Sequence, residues 1–307
     1  MTDGDSVLVL IDTDPGIDDA LALLYAWGSP ECRLAGLTTV AGNVEVADAT
    51  RNLFRLLALR RPAPIPVVAQ GAARPLARAL VTAKGYHGDD GLGGLLDWPP
   101  VETTLSDLDG ADFILDAVRR AREPLTLIAL GPLTNVALAL ARDRVTLGRV
   151  SRLVIMGGAI DVPGNVTATA EFNFHVDPEA AAQVLEAGLS IDLVSLDATR
   201  QALLRRGDLE ATLAGRPGPF ATRCAAFTLR GFSMDAARGT PGMVLHDPLA
   251  VAVALDPTLV TWNEARIAVA ADGTSRRAQG VPNCRVAGVV DVKRVVGNLL
   301  ERLCPAS

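Results

Sequence analysis

Apolar residues in this chain come in short unbroken runs, separated by segments with helical period. Val7-Leu8-Val9-Leu10-Ile11 is apolar and largely β-branched or leucine, the pattern of a strand buried on both faces. Pro15-Gly16 then turns the chain, and a helix is predicted to start at Asp18. Similar units recur. Strands are predicted over residues 34–40, 65–69, 125–130, 150–156 and 191–196, and helices over 46–59, 110–122 and 136–141. Residues 72–100 read as loop. Residues 206–238 are helical with breaks at 215–218, and 249–255 is an apolar helix. One or two strands (258–262 and 266–270), an irregular stretch and an amphipathic helix (291–303) complete the chain. This alternation predicts an α/β fold of one domain, residues 1–307. Its sheet is mostly parallel, doubly wound and Rossmann-like, flanked by helices, with the site at the carboxyl ends of the strands.

Composition narrows the classes. With 307 residues and 49% hydrophobic content the chain can bury one large core. No apolar run approaches the length of a membrane span. The opening Met1-Thr2-Asp3-Gly4-Asp5 is acidic where a signal peptide would be basic, so a cytoplasmic protein is expected. Cys32, Cys224, Cys284 and Cys304 are too scattered for a zinc site or a disulfide framework. A net charge of −6 argues against a nucleic-acid partner. Lys84 and Lys293 are the only lysines. No Gly-x-Gly-x-x-Gly follows a predicted strand, and Walker and Gly-x-Ser-x-Gly signatures are absent.

The first strand carries the chemistry. Asp12 and Asp14, two apart, can share a face, and Asp18 and Asp19 fall in the first turn of the helix. Ionised carboxylates at that density either protonate or enclose a cation, and an all-oxygen set suits calcium or magnesium better than zinc. Taken singly, Asp12 could bond the turn and Asp18 could cap the helix. Asn43, at a second strand-to-helix junction, could be a turn residue. The segment Tyr86-His87-Gly88-Asp89-Asp90-Gly91-Leu92-Gly93-Gly94 reads as a lid, an anion-binding turn or a plain surface loop. Asp177-Pro178 is an ordinary helix start, and Asp247-Pro248 would read the same way without His246 beside it.

Together these motifs resemble the inosine-uridine type nucleoside hydrolases over essentially the whole chain. The resemblance rests on Asp12-Thr13-Asp14-Pro15-Gly16-Ile17-Asp18-Asp19, Ala41-Gly42-Asn43, Gly131-Pro132-Leu133-Thr134-Asn135, Met156-Gly157-Gly158, Asn165 with Glu171-Phe172-Asn173, and His246-Asp247-Pro248. It implies Ca²⁺-dependent hydrolysis of the N-glycosidic bond of a small-molecule nucleoside, by a homodimer or homotetramer with no membrane partner. One Ca²⁺ would be held by Asp14, Asp19, Asp247 and the carbonyl of Leu130, with Asp12 supporting the site from behind. Asp18 would hold the ribose diol, and Asn165, Glu171 and Asn173 the other sugar hydroxyls, with Phe172 among them. Asn43 would lie near the reacting face, and His87 and His246 on the nucleobase side. Asp14 would take the proton of the attacking water, and a histidine, His246 or His87, would protonate the leaving base.

Some residues fall outside this pattern. The segment 220–238, where some relatives place tyrosines, has none; Phe227, Met234 and Arg238 are its candidates for contacting the base. Trp27, Trp98 and Trp262 do not fall near the expected base position, and His175 reads as structural. Two rival functions share parts of the pattern. A haloacid-dehalogenase-type phosphatase also uses Asp-x-Asp to hold Mg²⁺, but needs a lysine where Lys84 and Lys293 are poorly placed. A nucleoside-binding protein without turnover would keep the same pocket.

Overall fold

The computed structural model describes residues 6–304 except 96, 99, 102 and 103. Met1 to Asp5, on which the expected location rests, lie outside the described residues. One eight-stranded sheet forms the centre. Strand β1 (Val7–Thr13) lies beside β2 (Cys32–Thr39), with β3 (Val68–Gln70) at that edge. On the other side of β1 follow β4 (Leu125–Ala129), β5 (Arg152–Met156) and β6 (Ile191–Val194), then strands Cys284–Val290 and Val260–Ala265. All pair in parallel except Val260–Ala265, which runs antiparallel to its neighbour. The unbroken apolar runs of β1 and β4 are thus explained: both sheet faces are covered, and Val9 to Ile11 and Leu125 to Ala129 are buried.

Helices α1 (Ile17–Gly28) and α2 (Val46–Arg60) follow β1 and β2, and α3 (Lys84–His87), α4 (Gly110–Arg120) and α5 (Thr134–Arg142) come next. Strand order reverses at β1, with β2 on one side and β4 on the other. Register aligns Asp12 with Thr38 of β2 and Ala129 of β4. The loops leaving these strands therefore open on one crevice, where doubly wound sheets place their ligands.

The structure departs from the sequence expectation in several places. The third strand runs Val68–Gln70 instead of 65–69, because Pro64 and Pro66 supply no ladder donors and Ile65 is exposed. The expected loop 72–100 contains α3. The helix His246–Leu255 starts three residues before the expected position, so Asp247 sits in its first turn and is no N-cap. The stretch read as irregular contains the strand Cys284–Val290. Arg285 within it breaks the apolar pattern and is held by both carboxylate oxygens of Asp192, at 2.8 Å each. The expected strand 266–270 is a small separate ladder, Ile267–Val269 with Ser275–Arg277. Among the described residues no helix is long and apolar enough to cross a membrane.

Candidate active site

Asp12, Asp14, Asp19 and Asp247 are all buried at the carboxyl end of β1, and Asp18 faces the cleft beside them. Each is held differently. Asp12 Oδ1 accepts from Thr38 Oγ1 at 2.6 Å and Asn135 Nδ2 at 2.7 Å. Asp14 Oδ2 accepts the Asn43 N–H at 2.7 Å. Asp19 accepts from Thr13 Oγ1 (2.5 Å), the Gly16 N–H (3.0 Å) and Asn43 Nδ2 (3.0 Å). It is therefore Asp19, not Asp18, that caps α1. Asp12 Oδ2 and Asp14 Oδ1 are buried with no protein partner.

That arrangement strains the charged state. Burial, then repulsion from Asp19 and Asp18, pushes Asp14 well above the ordinary carboxylate range. Burial and the charges of Asp18, Asp19 and Asp14 do the same to Asp247. Asp18 is pushed to about 8 by burial and Asp19, and Asp12 to about 7 by burial. Asp18, Asp19 and Asp247 each offer a carboxylate oxygen within 4.8 Å of the others. The expected ligand set named Asp14 in place of Asp18; Asp14 stands against this grouping, as its repulsion of Asp247 shows. Orphaned oxygens and mutually repelling buried acids fit a bound hard cation, which would relieve both. The Leu130 carbonyl lines the same cleft and accepts from Asn173 Nδ2 at 2.7 Å, which leaves its second lone pair.

Glycines of three strand-to-helix junctions make room for these acids. A Cβ on Gly42 would fall 2.1 Å from Asp14 Oδ2, and one on Gly131 would fall 2.6 Å from Asp14 Oδ1. At Gly16 a Cβ would meet His87 Nδ1 at 2.6 Å. The Gly in each of the three motifs is thus explained by close approach to site side chains.

A cleft open to solvent lies above the acids. Asp18, Asn43, His87, Asn165, Glu171, Phe172, Asn173, Arg238, His246 and Asp247 all line it. Glu171 is buried and caps the short helix Phe172–Val176. Its oxygens accept the N–H groups of Asn173 (2.8 Å), Phe174 (3.1 Å) and Gly158 (2.9 Å). Burial still pushes its carboxyl above the usual range. Asn165 Oδ1 accepts the Phe172 N–H at 2.9 Å, so its amide NH₂ is what it can offer a ligand.

The other wall carries the two histidines. His87 Nδ1 accepts the Ile17 N–H at 3.0 Å, which puts the proton of the neutral ring on Nε2. His246 Nδ1 shares a hydrogen with Thr199 Oγ1 at 2.8 Å. Burial pushes each histidine down to about 3, helped at His246 by Arg200 and Arg238 and at His87 by His246 and two arginines. Burial thus favours the neutral form of both rings. Of the three candidates on the helix Pro219–Ala237 and its cap, only Arg238 reaches the cleft; Phe227 is a core residue against Gly93, and Met234 does not line the site. None of the tryptophans lines it, and His175 bonds the Asp272 carbonyl at 3.2 Å.

Sequence reasoning missed three contributors. Asn135 was part of a quoted motif without a role. It ties Asp12 to the Thr39 carbonyl (2.9 Å) and accepts the Ala72 N–H (2.8 Å). Tyr86 lines the cleft, and its lone aromatic ring in a glycine-rich loop was the available signal. Asp235 accepts the Val244 N–H at 2.9 Å and faces a hollow beside the cleft, and nothing in its helix marks it out. Asp177 is the helix N-cap expected, accepting from Ala180 (3.0 Å), and also anchors Leu76 N and Thr134 Oγ1.

The family described as inosine-uridine preferring nucleoside hydrolase matches residues 9–297. The chain is 44% identical over 268 residues to the non-specific ribonucleoside hydrolase RihC of Escherichia coli, covering 86% of this chain and 84% of that protein. It is 36% identical over 310 residues to the pyrimidine-specific ribonucleoside hydrolase RihA of Salmonella agona, covering 96% and 97%. Its fold matches a purine-preferring ribonucleoside hydrolase from Gardnerella vaginalis with a TM-score of 0.91 at 31% identity, over 96% and 98% of the two chains. The plant nucleoside hydrolase PpNRh1 matches with a TM-score of 0.90 at 34% identity, over 98% and 99%. With nearly its whole length matched and the motif residues gathered in one cleft, the chain belongs to the inosine-uridine preferring nucleoside hydrolase family of N-glycosyl hydrolases.

Proposed function

We propose that this enzyme hydrolyses free ribonucleosides in a Ca²⁺-dependent reaction, as a cytoplasmic homo-oligomer. The observation that carries the metal reading is the group of buried, mutually repelling carboxylates with Asp14 Oδ1 left unpartnered. Asp14, Asp19, Asp247 and the Leu130 carbonyl would hold the ion, and the grouping of Asp18 with Asp19 and Asp247 makes Asp18 a further donor to it or to the ribose diol. Bound there, calcium would lower the pKa of a water.

The chain's own groups do the rest. Asp14 Oδ1, which has no protein partner, takes the proton of the attacking water. Asn165, Glu171 and Asn173 hold sugar hydroxyls through the lone pairs and NH₂ groups their backbone bonds leave over, with Phe172 beside them. Positive charge building on the ribose ring is favoured by the acids beneath it. Asn43, anchored to Asp14 and Asp19, lines the reacting face. Negative charge gathering on the leaving base favours the protonated form of a histidine beside it, so His246 or His87 takes a proton from solvent and passes it to the base as the glycosidic bond breaks.

The test is reducing-sugar release from inosine and uridine by wild type and Asp14→Ala, with and without chelation and calcium repletion. Turnover lost on chelation, restored by calcium and absent in Asp14→Ala is expected. Turnover indifferent to chelation would overturn the metal reading, and no turnover by the calcium-loaded wild type would overturn the substrate reading.

A further inference from the structure

Asn52 lies within α2, does not line the cleft, and is wholly buried. Both ends of its amide are nevertheless in use. Nδ2 donates to the Pro15 carbonyl at 3.1 Å and to the Asp90 carbonyl at 2.6 Å, and Oδ1 accepts from Arg55 Nη1 at 3.0 Å. An amide buried in a helix interior is costly unless such bonds satisfy it. The two carbonyls belong to segments remote in the chain, and both segments reach the acids.

The first is the turn between β1 and α1. Its Gly16 N–H donates to Asp19 Oδ2 at 3.0 Å, and its Ile17 N–H to His87 Nδ1 at 3.0 Å. The Pro15 carbonyl and the Gly16 N–H are the two ends of one rigid peptide unit. Asn52 therefore fixes the plane whose other end holds Asp19. The second segment is the loop after α3. Asp90 Oδ1 folds it by accepting the N–H groups of Leu92 (2.9 Å) and Gly94 (2.7 Å), and the Gly93 N–H returns to the His87 carbonyl at 2.8 Å. Arg55, which steadies the Asn52 oxygen, also stands 3.8 Å from Asp90 Oδ2. Gly91 allows the close approach: its φ is +82°, and a Cβ there would fall 2.8 Å from Asn52 Nδ2 and 3.2 Å from the Pro15 carbonyl.

We propose that Asn52 is a positioning residue that couples the cation site to the loop carrying His87. It acts on Asp19 through the Pro15–Gly16 peptide and on the loop through the Asp90 carbonyl. This rests on the metal reading above. With Asp19 committed to the ion, the Gly16 N–H is held, the peptide unit passes the constraint to the Pro15 carbonyl, and Asn52 carries it to residues 88–94. The coupling is reciprocal, so a tied loop also favours the ion.

The experiment compares the whole chain, chelated and calcium-loaded, as wild type, Asn52→Leu and Asn52→Ser. Leucine keeps the volume without a donor; serine keeps one short donor and serves if the leucine variant does not fold. Lys84→Ala is the control, since it cuts only a partly exposed ion pair with Glu45 that also ties α3 to α2. Hydrogen exchange over residues 84–94, calorimetric calcium titration and melting temperature are the readouts. Calcium should slow exchange of this segment in wild type and in Lys84→Ala. Either Asn52 variant should lose most of that slowing and bind calcium about three- to tenfold more weakly, the scale of one lost hydrogen bond. A role confined to packing would lower the melting temperature and speed exchange equally in both calcium states, at unchanged calcium affinity. That result would overturn the coupling, as would Lys84→Ala behaving like the Asn52 variants. The wild-type arm decides independently of any variant: calcium uptake that leaves the loop's exchange unchanged would strike the coupling alone, whereas no uptake would strike the metal reading itself.

Discussion

Gly42→Ala is the sharpest test of how the acids are held. Its new methyl would stand 2.1 Å from Asp14 Oδ2 and 2.7 Å from Pro132 Cδ, where carbon contacts need about 3.5–4.0 Å. The backbone cannot simply withdraw. Gly42 N–H bonds the Val44 carbonyl at 3.1 Å, and Ala41 N–H bonds the Ala72 carbonyl at 2.9 Å. Asp14 must turn, giving up the Asn43 N–H at 2.7 Å. Overpacking costs about 1–3 kcal/mol, and a hydrogen bond to a charged group about 1.5–3 kcal/mol. Their sum, about 2.5–6 kcal/mol, is below the total stability of most domains, so the variant should fold with a melting temperature lower by on the order of 10 °C. Displacing a ligand should also cost more than displacing a supporting residue, so calcium affinity should fall at least about 100-fold. Calorimetric calcium titration and thermal melts read both. Gly85→Ala is the control: nothing lies within 4 Å of its added carbon, and a helical position gains about 0.5–1 kcal/mol from alanine. Wild-type calcium affinity in Gly42→Ala would refute the placing of Asp14 at the ion.

The remaining predictions concern protons. In chelated protein, Asp12 (about 7) and Asp18 (about 8) lie above their ordinary 3.8, so the folded state binds more protons than the unfolded and stability falls as pH rises. His87 and His246, pushed down to about 3, act the opposite way but only below about pH 6.5, so the melting temperature should fall between about pH 6.5 and 8. Calcium should abolish that slope, and a flat or rising curve without calcium would contradict the assignment. His246→Ala should depress turnover of inosine by about 10²–10⁴ while largely sparing p-nitrophenyl riboside, whose leaving group departs without a proton. Equal loss on both substrates would make His246 a support for the metal site and His87 the next candidate donor.

Much of this site was legible in the sequence because each motif closes a strand locally. Asp12-Thr13-Asp14, Gly42-Asn43 and Gly131 leave neighbouring strands β1, β2 and β4, so strand order alone brings them together. What could not be read depends on contacts remote in the chain. Tyr86 and Arg230 meet only because the helix Pro219–Ala237 packs on α3. The strand Cys284–Val290 hides behind Arg285, whose charge is explained by Asp192, 93 residues away, and by the Trp262 ring beneath it. The ligand grouping was also only partly legible, since side chains one residue apart at a helix start, Asp18 and Asp19, face differently according to which one caps.

The motif residues are also the residues that hold their own turns, which limits what single substitutions can report. Asn43 braces Asp14 and Asp19 and lines the cleft; Glu171 caps a helix with three backbone bonds and lines the same cleft. Replacing either removes a local scaffold and a substrate contact at once, so lost turnover would not separate the two. The wall of the cleft that carries Tyr86 is built otherwise. Tyr86 is held by side chains of another helix, and its hydroxyl can be removed without releasing the Arg230 bonds to its backbone. This wall of the cleft can therefore change in this fold while the acids, their glycines and the sheet ends that carry them stay as they are.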